Sequence, residues 1–179
     1  IEKLPSVKDT KEIVFTVDSI PALEKESFSL PDQAIVGQIR LYYGSPESPS
    51  AFWSSYAQAL PRAAERYLDK TPETGKAADQ FDSLPTVKEK IERAYFWVQG
   101  RFKNMTFLPD EDTMSLKIKN LTARDAFKKG YCDRSGITYI FYDLLREMNI
   151  DAKIAWVEDR DEDLFVPEVK TWQFTHPLV

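Results

Sequence analysis

One stretch constrains this chain more than any other. Ile137, Ile140, Phe141, Leu144, Leu145 and Met148 recur three and four residues apart. That spacing puts them on one face of a long helix beginning near Cys132 and ending near Asn149. A stripe this apolar must be covered by other elements, so the rest of the chain has to supply partners for it.

The partners can be read in order. Ile13, Phe15 and Val17 alternate with Val14, Thr16 and Asp18, the period of a strand, and Ile39, Leu41 and Tyr43 share a face in a second apolar stretch over 35–43. Residues 21–31 between them read as a Pro-rich polar connection. A turn-rich junction, Ser45-Pro46-Glu47-Ser48-Pro49-Ser50, follows. Phe52, Tyr56 and Leu60 then predict a helix that Pro61 interrupts or kinks. Residues 69–83 are polar and read as a loop. Thr86 and Glu89 fit a capping box ahead of a helix carrying Ile91, Ala94, Tyr95, Val98 and Phe102. Residues 103–120 read as irregular. A short helix starts at Thr122-Ala123-Arg124-Asp125 and is stopped by Gly130. Beyond the long helix, 152–157 predicts a strand, 158–163 an acidic loop and 171–179 a final strand. The fold class is α+β, with a partial β-rich domain over 1–50 and a second domain over 51–179 that reads as truncated at its C-terminus.

Composition excludes several functions. The 24 basic and 29 acidic residues give a net charge of −5 with no Lys/Arg cluster, which argues against nucleic acid as a partner. One Cys cannot form an internal disulfide, and one Cys with one His is too few for a Cys/His zinc site. No apolar run is long enough to span a membrane. No metal site and no membrane span are therefore expected.

The chemistry lies in Gly130-Tyr131-Cys132-Asp133-Arg134-Ser135-Gly136. It seats the only Cys at the start of the long helix. There the partial positive charge of the helix terminus favours a thiolate, and free N–H groups could donate to an oxyanion. The only His, His176, lies on the last predicted strand. A Cys on a helix N-terminus facing a His on a strand is the arrangement of thiol enzymes of the papain type. Each residue also has a plain reading. Cys132 could be a buried apolar filler. His176 alternates with Trp172, Phe174 and Leu178 on a face that points at the core, so it could be a core histidine.

From about residue 86 to 179 the chain resembles the bacterial transglutaminase-like domains. The matching features are Arg93-Ala94-Tyr95-Phe96-Trp97-Val98-Gln99, then Thr122-Ala123-Arg124-Asp125-Ala126-Phe127, then the turn with Gly130 and Cys132. The long helix ending in Asn149-Ile150, the strand Ile154-Ala155-Trp156-Val157 and the pair Phe174 and His176 complete the order. Upstream, Ile20-Pro21-Ala22-Leu23-Glu24-Lys25-Glu26 is similar to the end of the β-rich domain of unknown function that often precedes such domains. The resemblance implies a transglutaminase-like, papain-like cysteine-protease fold, with the Cys-bearing helix packed on an antiparallel sheet. It implies a Cys–His–Asp triad for acyl transfer on peptide or protein amides, hydrolysis ahead of transamidation. Cys132 would be the nucleophile and His176 the general acid/base. It implies a periplasmic or extracellular setting, and a chemistry that needs no cofactor. Two features depart from the pattern. The orienting acid belongs on a strand beyond His176, and Arg134 stands where many relatives carry an acid two places after the Cys.

Other signals read more plainly. Asp159, Asp161 and Asp163 have calcium-loop spacing, but Leu164 and Lys170 stand where Gly and Glu are required, which leaves a solvated acidic loop. Trp53, Tyr56 and Tyr95 fit helix packing faces better than a peptide or sugar groove, and Trp97 fits a packing face better than the role of oxyanion donor. The rival function is a catalytically silent domain of the same type, binding protein or glycan or serving a structural role.

Overall fold

The computed structural model describes residues 48–69, 71–108, 121–159 and 165–179, with Val14, Thr16, Ser19, Ala22 and Ile35 as isolated positions. Most of the two β stretches expected over 13–17 and 35–43 therefore lies outside the described residues. Ile35, where the second was to start, has helical backbone.

Helix α1 runs over Pro49–Leu68. The Ser48 side chain accepts from the Ala51 N–H at 3.2 Å, and Pro49 supplies a fixed φ where no N–H is needed. Pro61 lies inside this helix without ending it, and Asp69 closes it with φ 39°. The expected loop over 69–83 is instead mostly helical. Helix α2 spans Pro72–Ala78 and a 3-10 turn spans Asp79–Phe81. Seven residues are too few for a legible apolar period, but Pro72 at the start, Glu73 in the first turn and Lys76 in the last fit a helix's ends. Thr74, Ala77, Ala78 and Phe81 are buried.

Helix α3 is Val87–Arg101, and the Thr86 hydroxyl oxygen accepts from the Glu89 N–H as expected. Strand β1 is only Lys103–Asn104; residues 109–120 of the irregular stretch are outside the described residues. Helix α4, Ala123–Lys129, carries a complete Thr122/Asp125 capping box and ends at Gly130, whose φ of 76° suits glycine. Strand β2 is Tyr131–Cys132, helix α5 is Arg134–Glu147, β3 is Ala155–Val157 and β4 is His176–Leu178.

The core forms around α5. Ile140 and Leu144 are fully buried, Ile137, Leu145 and Met148 nearly so, and α1, α2, α3 and α4 pack around this helix. On the α2 side Gly75 faces the end of the Glu147 side chain: a β-carbon there would stand 3.3 Å from Glu147 Oε2. Trp97 packs as expected, its ring centroid 6.4, 6.1 and 6.2 Å from those of Phe81, Phe102 and Phe127.

The α+β class is observed, but not as one antiparallel sheet under the Cys helix. Among the described residues there are two separate two-stranded sheets. β1 and β2 are parallel, pairing Asn104 with Cys132; β3 and β4 are antiparallel, pairing Val157 with His176. The final strand is three residues long rather than spanning 171–179. Residues 171–175 are not strand, so the alternation read from Trp172 does not carry through. Pro177 takes the buried position, while Leu178 and Trp172 are about half exposed.

Candidate functional site

Cys132 does not stand in the first turn of α5. It ends β2, and Asp133 intervenes as the helix N-cap. The Cys132 carbonyl accepts from the Met105 N–H at 2.9 Å, which fixes the backbone. The donors expected at the helix start are largely taken. Asp133 Oδ1 accepts from the Gly136 N–H at 2.7 Å, and Thr106 Oγ1 accepts from the Arg134 N–H at 2.8 Å. The Asp133 signal was legible as an N-cap residue three places before Gly136.

The thiol is buried, with 1 % of the residue exposed. Burial pushes it up to about 12; the hydroxyl of Tyr67 acts in the opposite sense, and the Asp133 charge adds to the rise. Tyr67 comes from the last turn of α1, far away in sequence, and nothing but its helical spacing would have pointed to it. Its hydroxyl is buried with no well-formed hydrogen bond, yet close enough to Cys132 to favour the thiolate. Burial and the nearby thiol push the Tyr67 hydroxyl well above the usual phenol range.

His176 opens β4 and is half-buried. Its Nδ1 meets the Thr175 hydroxyl, and Thr175 Oγ1 donates to Glu158 Oε1 at 3.0 Å. Strand β4 is seated on α5: the Thr138 hydroxyl lies 3.0 Å from the Arg134 carbonyl and 3.3 Å from the Pro177 carbonyl. The fold therefore brings the strand bearing His176 to the N-terminal half of the helix that Cys132 precedes. It does not join the two side chains: among the described residues no hydrogen bond links Cys132 to His176.

Of the aromatic residues considered for a groove, Trp53 and Tyr56 pack and are partly buried. Trp53 stacks edge-on against Phe165 and Phe174, with centroids 5.1 and 5.8 Å away, and its Nε1 donates to the Pro167 carbonyl at 2.8 Å. Tyr56 meets Trp172 at 5.0 Å, and Trp172 meets Trp156 at 5.4 Å. Tyr95 is about half exposed beside Phe96 and Phe141. Of the calcium-like loop, 160–164 lies outside the described residues. Among the described residues no three His, Cys, Asp or Glu side chains cluster to hold a metal, and no helix is long and apolar enough to cross a membrane.

No protein-family model matches the chain, and neither the curated proteins nor the solved structures contain a significant match.

Proposed function

We propose that the chain performs thiol-dependent acyl transfer on peptide or protein amides, with hydrolysis ahead of transamidation. The observation that carries this reading is topological. The only Cys lies two residues before α5, separated from it by the Asp133 cap, and the strand bearing the only His docks on the first half of the same helix through Thr138 and Pro177. The transglutaminase-like order of motifs supports the same pairing.

In this reading the thiol is stored protonated, as burial dictates. His176 Nε2 takes the Cys132 proton as sulfur bonds to the amide carbonyl carbon. The C–N bond then breaks and the leaving amine takes the proton from the imidazolium, leaving a thioester. Water attacks next, giving its proton to His176, and the carboxylic acid leaves as the thiol is restored. A second amine in place of water gives transamidation. No cofactor enters these steps.

A second reading is a silent domain that binds protein or glycan. Its support is the burial of Cys132 together with the filled N–H donors at Arg134 and Gly136.

The test is amide turnover on unstructured peptides, with hydroxylamine competing against water. The catalytic reading predicts carboxylate as the main product and hydroxamate as the minor one, both absent in Cys132→Ala. Turnover that survives Cys132→Ala overturns the thiol mechanism, and none in the wild type supports the silent reading instead.

A further inference from the structure

The resemblance implies an acid beyond His176; the described structure instead places a carboxylate, Glu158, against Thr175, the residue before that histidine. Glu158 follows directly on β3, and Thr175 directly precedes β4. The Thr175 N–H donates to the Val157 carbonyl at 3.2 Å, which extends the strand pairing and sets Thr175 beside Glu158. Glu158 Oε1 receives both the Thr175 hydroxyl proton and the Asp159 N–H, each at 3.0 Å. The same Thr175 oxygen meets His176 Nδ1.

We propose that Thr175, oriented by Glu158, is a positioning residue that holds the His176 imidazole in its Nδ1–H tautomer. The argument is a count of protons. An ionised carboxylate only accepts, and a threonine hydroxyl has one proton to give. Once that proton goes to Glu158, the Thr175 oxygen can only accept from the ring. Nδ1 must then carry the imidazole proton, and Nε2 keeps its lone pair. That is the tautomer a general base needs when it takes a thiol proton through Nε2. Glu158 and Thr175 touch no reacting atom; they act through His176. The inference rests on the reading of His176 as the base for Cys132, but its physical content can be measured without turnover.

The chain has a single histidine, so its two ring nitrogens give one unambiguous pair of nitrogen-15 signals. They are recorded on the full chain at a pH above the usual imidazole value of about 6.5. The wild type is expected to show a protonated-type Nδ1 and an unprotonated-type Nε2. Thr175→Val should move the proton to Nε2 in most molecules. Glu158→Gln should give a mixture, because an amide can donate to Thr175 as well as accept. Thr175→Ser should keep the wild-type pattern. Amide signals of β3 and β4 in the same samples report whether the strands persist, and Glu158→Gln serves if Thr175→Val loses them. An Nε2–H tautomer in the wild type, or one unchanged by both Thr175→Val and Glu158→Gln, overturns the inference. A correct tautomer with no amide turnover leaves the inference standing and removes the catalytic reading alone.

Discussion

The Tyr67 hydroxyl occupies space that a β-carbon at Gly136 would need. A Cβ there would stand 2.3 Å from the Tyr67 oxygen and 3.0 Å from the Cys132 Cβ. Gly136 is thus what lets α1 close over the thiol.

Gly136→Ala should destabilise the chain despite improving helix propensity. The propensity gain is at most about 1 kcal/mol, while overpacking a rigid aromatic tip costs about 1–3 kcal/mol. A net loss of about 1–2 kcal/mol is expected from denaturant midpoints. Tyr67→Phe alone should be neutral or slightly stabilising, since it deletes a buried hydroxyl with no well-formed hydrogen bond. Combined with Gly136→Ala it should recover only part of the loss, because the ring carbon Cζ would still lie 2.7 Å from the new β-carbon.

The thiol gives a pH prediction. Its value rises from 9.0 to about 12 on folding, so the unfolded chain releases this proton first. Stability should therefore be intact below about pH 9 and fall as the pH rises toward 12. Cys132→Ala should flatten part of that fall in melting curves; Tyr67, Tyr56 and Tyr139, whose hydroxyls burial also pushes up, leave a remainder. Asp133→Asn keeps a good N-cap but removes the negative charge. It should speed Cys132 alkylation at a given alkaline pH without lowering the melting temperature appreciably.

Helix α1 is held by Trp53 at its other end. Trp53→Ala removes ring contacts to Phe165 and Phe174 and the bond to Pro167, and Trp53 is only partly buried, so the loss should fall near the low end of the usual 3–5 kcal/mol for such truncations. Because α1 carries Tyr67, the same change should raise the alkylation rate of Cys132 at fixed pH. Trp53→Phe keeps a ring and loses the hydrogen bond, with an expected cost of about 1 kcal/mol.

The Thr122 cap gives an acid-side prediction. The Thr122 backbone and hydroxyl both donate to Asp125 and hold its carboxyl below the usual range. A depressed carboxyl stabilises the fold above its ordinary value of 3.8, and that contribution is lost as the pH falls through the lower folded value. Asp125→Asn should flatten the acid side of the melting profile, and Thr122→Ala should cost about 1 kcal/mol at neutral pH.

The sequence was most legible where local chemistry repeats. The α5 face, the Thr86 and Thr122 caps and the stop at Gly130 follow from period, hydroxyls and a positive φ, all encoded within a few residues. Helix α2 was not legible, because it is short and is justified by burial of Thr74, Ala77 and Ala78 against α5 rather than by its own pattern. The face of His176 was misread because alternation assumes a continuous strand, and β4 starts only at His176. At the candidate site, Cys132 and His176 stand out in the sequence as the only residues of their types, whereas the apolar spacing puts the helix start near Cys132 and leaves the Asp133 cap unread. Tyr67, Thr175 and Glu158 could not be picked out, since their contacts depend on how α1 docks and on where β3 and β4 end.

The most direct test of the central claim is intact-mass analysis of the full chain during reaction with a peptide nitrophenyl ester. The account predicts a transient acyl adduct, mapped to Cys132, that water discharges. It should be absent in Cys132→Ala and strongly reduced in His176→Ala. No adduct in the wild type, or an adduct on Cys132 that forms equally fast without His176, would contradict the account.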